Sequence, residues 1–168
     1  MITFILPGYS PSNRQWAEEV ANKLQVTGEI RPIIWDHWDD SNAVFKPEEK
    51  VQMLIGIMAG GSANIIAKSI GTLVASLLIS QIPKQITKVI YCGIPSGNFK
   101  NYQEVYTKAM TFLPADKILV LQNQADPLGS FEVTQAAIQQ TNPKITVKSM
   151  PASDHNYPYF DEFQKFIG

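Results

Sequence analysis

The sequence predicts an α/β fold: a doubly wound, three-layer sandwich of about six mostly parallel strands with helices on both faces. Short apolar, β-branched segments alternate with helical patterns along the whole chain. Pro7-Gly8 and Gly60-Gly61 break the chain between such segments. The length of 168 residues with 45% hydrophobic side chains suits one domain, residues 1–168, with a substantial core.

Taken in order, residues 2–6 read as a strand that stops at Pro7-Gly8, and 15–24 as an amphipathic helix. Residues 30–35 form the second strand. A polar loop follows, then a helix over 47–58 with Pro47 at its start, where a missing N–H costs least. Residues 64–68 are a short third strand, and 70–80 a helix apolar on most sides. The pattern continues with a strand at 88–93, a helix at 102–112 and a strand at 117–122. A helix at 131–140, a strand at 145–150 and a closing helix at 159–167 complete the chain. No repeat, low-complexity segment or linker interrupts it.

Composition excludes several function classes. Charged residues make up 17% of the chain and the net charge is -1, so no basic face is expected for a nucleic acid. Cys92 is the one cysteine, which rules out an internal disulfide. The N-terminal apolar segment lacks the basic flank and cleavage site of a signal peptide. The longest apolar stretch, residues 70–79, is too short to span a bilayer. A soluble, cytoplasmic protein with no membrane partner is the expectation.

A doubly wound sheet binds ligands beyond the carboxyl ends of its strands, so the residues following each strand matter most. After the third strand comes Ala67-Lys68-Ser69-Ile70-Gly71. A strand, a serine and an immediate helix start are the context of a nucleophile elbow. Such a turn strains the serine backbone and needs small residues two positions to either side, met here by Ala67 and Gly71. The pentapeptide alone reads equally well as Ser69 capping a helix. After the fifth strand comes Asp126-Pro127, which alone is an ordinary turn. After the last comes Asp154-His155-Asn156, where His155 alone reads as a surface histidine. Together they supply what a serine nucleophile requires: His155 as base, and Asp126 to orient it and stabilise the imidazolium. The chain order Ser, Asp, His is the order expected for this arrangement.

Acyl transfer also needs donors for the developing oxyanion. The backbone N–H of Ile70 is one candidate. The N–H of Tyr9, in the loop after the first strand, is the other. Tyr9, Pro95, Leu128 and Tyr157 flank the predicted site and are expected to line a substrate pocket. No phosphate-binding glycine motif is present. The segment Trp35-Asp36-His37-Trp38-Asp39-Asp40 matches no metal-ligand spacing and reads as the polar end of the second strand. His37 there is a rival base out of chain order. Lys68 is expected to point aside into an ion pair, and Cys92 to be a core residue.

On the elbow around Ser69, the Asp126-Pro127 segment and the Asp154-His155-Asn156 segment, the chain resembles the α/β-hydrolase superfamily. The likeness is to compact members that start at the strand preceding the oxyanion loop, esterase-like or dienelactone-hydrolase-like. Ala67 and Thr72 depart mildly from the usual small residues around the elbow. One helix between residues 95 and 116 leaves no room for a large lid. The resemblance implies a serine hydrolase acting on a small ester or thioester, with no metal or organic cofactor. Two other readings of the fold are a non-catalytic binding module and a nucleotide- or flavin-binding protein.

Overall fold

The computed structural model describes residues 1–168. Its centre is a six-stranded, fully parallel sheet in the order β2-β1-β3-β4-β5-β6. The strands are β1 (Ile2–Leu6), β2 (Glu29–Pro32), β3 (Ala63–Lys68), β4 (Ile86–Cys92), β5 (Ile118–Asn123) and β6 (Thr146–Met150). The helices are α1 (Asn13–Lys23), α2 (Pro47–Met58), α3 (Ile70–Gln81), α4 (Ser96–Asn101), α5 (Gln103–Phe112), α6 (Phe131–Thr141) and α7 (Phe160–Ile167).

The burial pattern follows from two-sided coverage. Every residue of β3 and β5 is buried, as expected for central strands of a parallel sheet. Alternate side chains of each strand point to opposite faces. On one face Phe4, Ile65 and Tyr91 join residues from α2, α3, α5 and α6 in a cluster of 28 buried residues. On the other, Ile5, Ile66 and Cys92 meet α1 and α7 in a cluster of 13, so that layer is the thinner one. No helix is long and apolar enough to cross a membrane.

Two elements differ from the sequence expectation. The second strand ends at Pro32 instead of continuing to residue 35. Pro32 offers no N–H to the ladder. Ile33 N–H makes one last bond to Ile5 O at 2.9 Å, after which Trp35 leaves the sheet and is fully buried beneath the loop after β1. Second, residues between β4 and β5 form two helices, not one. The extra helix, α4, is short and poor in strong helix formers. Phe99 secures it by stacking on Tyr106 of α5, with ring centroids 5.1 Å apart. Leu128 O secures its first turn by accepting from Ser96 N–H and Oγ–H at 2.9 and 3.0 Å. Helix α5 packs on α3, and no large lid is inserted here.

The chain runs from β1 to β2 on one side, then returns to place β3 on the other side of β1. That reversal is the topological switch point, and the crevice above it is the expected ligand position. Leu6 pairs with Ala67 and Lys68 with Cys92, so the loops leaving β1, β3 and β4 emerge side by side.

Candidate active site

Ser69 sits between β3 and α3 with φ 56° and ψ −121°. This is a region that non-glycine residues rarely occupy, and it persists only where the surroundings hold it. Ser69 N–H donates to Cys92 O at 3.0 Å, tying the turn to β4. Its carbonyl accepts from both the N–H and the Oγ1–H of Thr72, at 2.9 and 2.6 Å. The Thr72 hydroxyl in turn accepts from Tyr106 OH at 2.8 Å. Thr72 is thus larger than the usual residue because it braces the turn. Ser69 occupies the helix N-cap position, yet its side chain makes no capping bond. The hydroxyl is left for other use.

Gly71 explains why the elbow needs a small residue there. A Cβ at this position would lie 2.8 Å from the carbonyl carbon of Leu6 and 2.9 Å from Pro7 O, and closer still to Leu6 O. All three are backbone atoms of β1 and its following loop.

His155 Nδ1 lies 2.7 Å from Asp126 Oδ2. Asp126 is buried and accepts two further bonds: Tyr157 OH on Oδ2, and Leu128 N–H on Oδ1 at 2.8 Å. Burial alone would raise the Asp126 pKa, but the bonds from His155, Tyr157 and Leu128 outweigh it and hold the carboxyl below its ordinary value. An ionised Asp126 accepts the Nδ1 proton, which leaves Nε2 as the bare ring nitrogen. Nε2 is buried and has no hydrogen-bond partner. Ser69 Oγ and Nε2 are not hydrogen-bonded in this structure, a contact that is often long in unliganded hydrolytic sites.

Gly93 brings the histidine loop over the elbow. It follows Cys92, whose carbonyl holds Ser69. A Cβ on Gly93 would lie 2.9 Å from His155 Cε1 and 2.5 Å from Tyr157 Cε2. With φ 60° the position also favours glycine. The sequence reading missed it, although a glycine ending a strand at the ligand-binding edge of the sheet was the available signal.

Other predicted residues fall as follows. Tyr9 is 57% exposed, and its N–H makes no hydrogen bond within the protein. Ile70 is the first residue of α3, where N–H groups lack intrahelical partners. Leu128 is exposed and Pro95 half-buried, both beside the acid loop. Tyr157 is corrected: it is fully buried, its ring edge-on to His155 and its hydroxyl on Asp126, so it presents no surface to a substrate. Its hydroxyl accepts from Asn123 N–H at 3.1 Å while donating to Asp126. Residues 123–129 are otherwise held by Asn123 Nδ2, which reaches Asp154 O and Asn156 O at 2.8 Å each.

Lys68 also departs from expectation. Its ammonium makes no ion pair; it donates to Asn13 Oδ1 at 2.7 Å and is 4% exposed. Burial lowers its pKa. Burial likewise pushes the Cys92 thiol up, as befits a core residue. His37 is engaged elsewhere, against Tyr9 O at 2.8 Å. Asp36 pairs with Lys50 and Asp39 with Arg14. No group of three or more His, Cys, Asp or Glu side chains is placed to hold a metal ion. A cavity of about 340 Å³ lies between α4 and α6, with Ile94, Phe99, Val133 and Ala137 among its walls. None of the triad or oxyanion candidates lines it.

Solved structures with this architecture share little sequence with the chain. XC6422 from Xanthomonas campestris, a member of a/b serine hydrolase without lid, has a TM-score of 0.70 at 12% identity, over 99% of this chain and 78% of that one. Est1E from Butyrivibrio proteoclasticus, with ferulic acid bound, has a TM-score of 0.68 at 12% identity, over 99% and 86%. A monoacylglycerol lipase from Paleococcus ferrophilus has a TM-score of 0.63 at 12% identity, over 98% and 91%. No protein-family model and no curated protein matches the sequence. With a parallel sheet in this order, helices on both faces and no large lid, the chain has the α/β-hydrolase fold.

Proposed function

We propose that the protein is a serine hydrolase that cleaves a small carboxylic ester or thioester through an acyl-enzyme on Ser69. The observation that carries this reading is the His155 imidazole. One nitrogen is fixed on a buried carboxylate at 2.7 Å and the other is buried and unpartnered, in a ring that packs against Gly93, the residue after the Cys92 carbonyl that holds the strained Ser69. A buried polar atom without a partner is costly in a merely structural role.

In the proposed reaction His155 Nε2 takes the Ser69 proton as Oγ attacks the carbonyl carbon. The N–H groups of Ile70 and Tyr9 hold the developing oxyanion. Asp126 stabilises the imidazolium without itself taking the proton. His155 then protonates the leaving alcohol or thiol. Water, deprotonated by the same nitrogen, releases the acid and restores Ser69. Leu128 and Pro95, beside the acid loop, are the proposed substrate contacts together with Tyr9. The names of similar structures support ester substrates: one holds ferulic acid and another is a monoacylglycerol lipase.

A fluorophosphonate probe tests the assignment. Native protein is expected to be labelled, and Ser69→Ala to remain blank. His155→Ala is expected to react slower by orders of magnitude, in step with loss of p-nitrophenyl ester hydrolysis. A native protein that stays unlabelled beside a reactive control hydrolase is instead a binding module on the same fold.

A further inference from the structure

The turn after β2 supplies none of the triad, yet three of its side chains end on the backbone of residues 7–10. Trp35 Nε1–H points at Gly8 O and Pro7 O, at 3.2 and 3.3 Å. Trp38 Nε1–H donates to Tyr9 O at 2.7 Å, and His37 Nε2 lies 2.8 Å from the same oxygen. A carbonyl oxygen only accepts, so Nε2 is the protonated nitrogen of His37.

A trans peptide unit is planar, and its C=O and N–H point in opposite directions. Holding Gly8 O therefore aims Tyr9 N–H the other way, and holding Tyr9 O does the same for Ser10 N–H. Neither N–H has a partner in the protein. Without such bonds the unit after Gly8 would flip easily, because glycine has no Cβ to resist it. Asn13 closes the loop from the other side. Its Nδ2 donates to Ser10 O at 2.9 Å, and its Oδ1 accepts from Lys68 beside the serine.

The turn is itself anchored. Asp36 Oδ1 accepts from His37 N–H at 2.9 Å and from the nearly buried Lys50 ammonium at 2.6 Å. The His37 and Tyr9 rings stack with centroids 4.5 Å apart. We propose that Trp35 is a positioning residue that aims the Tyr9 N–H at the substrate oxyanion through Gly8 O, and that His37 and Trp38 hold the next peptide unit through Tyr9 O and so fix the other end of Tyr9. The inference rests on Ser69 as nucleophile and on Tyr9 as oxyanion donor. It assigns a role to a segment that otherwise looks like a polar strand end.

The test compares Trp35→Phe and two double variants with native protein. Trp35→Phe removes the donor to Gly8 O; His37→Leu with Trp38→Phe removes both donors to Tyr9 O, and His37→Gln with Trp38→Phe restores one. Active sites are counted by fluorophosphonate titration, so misfolded protein does not enter the rate. A single oxyanion donor is worth about 10²–10³-fold in kcat, and a misaimed one is expected to lose at least about tenfold. Trp35→Phe and the Leu double variant should therefore each lose at least about tenfold in kcat per titrated site, with KM within about threefold. A boronic acid, which forms a tetrahedral adduct on the serine, should bind weaker by a similar factor. The Gln variant should recover most of the loss. If the double variants fail to fold, His37→Leu and His37→Gln singly give the same comparison at smaller amplitude. A per-site kcat within twofold of native, or equal losses in the Leu and Gln variants, overturns the positioning role while leaving Ser69 in place. Failure of the native protein to react with the probe overturns the nucleophile instead.

Discussion

Adding one methyl group at Gly71 tests the elbow without touching a reacting atom. The new Cβ would stand 2.8–2.9 Å from the Leu6 carbonyl carbon and Pro7 O, with Leu6 O nearer still. Real Cβ contacts do not come this close, and all three atoms are backbone, so no rotamer change relieves the clash. The first turn of α3 must move away from β1, or the end of β1 must yield. Overpacking of this kind costs about 1–3 kcal/mol, and a backbone obstacle puts Gly71→Ala toward the upper end. For a chain of this size each kcal/mol lowers Tm by about 2–4 °C, so a fall of roughly 5–10 °C is expected. The same movement separates Ile70 N–H from Tyr9 N–H, and a misplacement of about 1 Å can cost about 10²-fold in rate. Gly56 in α2 is the control, since a Cβ there would meet nothing within 4 Å. Gly56→Ala should raise stability by about 0.5–1 kcal/mol through helix propensity, with unchanged turnover. Calorimetry and p-nitrophenyl ester kinetics on both variants decide the matter. If Gly71→Ala keeps Tm within 2 °C and kcat/KM within threefold of native, roughly the noise of such comparisons, the close-packed elbow is wrong.

Three further substitutions probe the charges around the site. Asp126→Asn should lower kcat by about 10³–10⁴-fold while leaving the fold intact, because an amide does not hold His155 in the base-competent tautomer. The Asp126 carboxyl is held below its ordinary value, so it stabilises the fold above the ordinary aspartate pKa near about 4 and stops doing so as pH falls through its folded value. The stability gap between native and Asp126→Asn, followed by urea unfolding, should shrink on acidification; a gap that is flat with pH contradicts the assignment. Tyr157→Phe leaves the buried Asn123 N–H without an acceptor and should cost about 1–3 kcal/mol, with a rise in the Asp126 pKa. Unaltered stability would show that water replaces the hydroxyl. Lys68 carries a lowered pKa, so the unfolded chain holds its proton more tightly. Between the folded value and the ordinary lysine value near about 10.4, this site makes stability rise with pH. The difference between native and Lys68→Met should show that rise in alkaline unfolding titrations, and its absence would mean that the ammonium is solvated.

Much of the fold, and the position of each proposed triad residue after a strand, was legible in the sequence because both rest on local signals. β-Branched runs mark the strands, and a catalytic serine, carboxylate and histidine must each follow a strand in a doubly wound sheet. What was hidden depends on contacts between distant segments. Tyr157 lies two residues from His155, and only the folded loop turns its ring inward onto Asp126. Trp35 looked like the end of a strand because its neighbours are apolar; Pro32 stops the ladder first and frees the indole for the loop after β1. Lys68 was expected to point aside from the elbow into an ion pair. Its partner is instead a neutral amide on α1, which no spacing in the sequence reveals. Helix α4 is stabilised by Phe99 stacking on the next helix and by Leu128 O, 32 residues away from Ser96, rather than by its own propensity.

The strain at Ser69 shows how these hidden contacts bear on chemistry. A non-glycine residue at such a positive φ costs about 1–3 kcal/mol. Relaxation into the following helix would remove that cost and bury the hydroxyl in a capping bond. Two sets of contacts oppose this. Cys92 O holds the Ser69 N–H from β4, while Thr72, backed by Tyr106, holds the Ser69 carbonyl from α3. Each peptide unit flanking Ser69 is thereby fixed, and the side chain alone is free to turn. The loop at residues 7–10 follows the same logic, with its carbonyls bound and its N–H groups free. In both places the scaffold satisfies the backbone atoms that face it. What remains unsatisfied lies in the loops that leave β1 and β3, the two strands flanking the switch point, where the proposed polar substrate would bind.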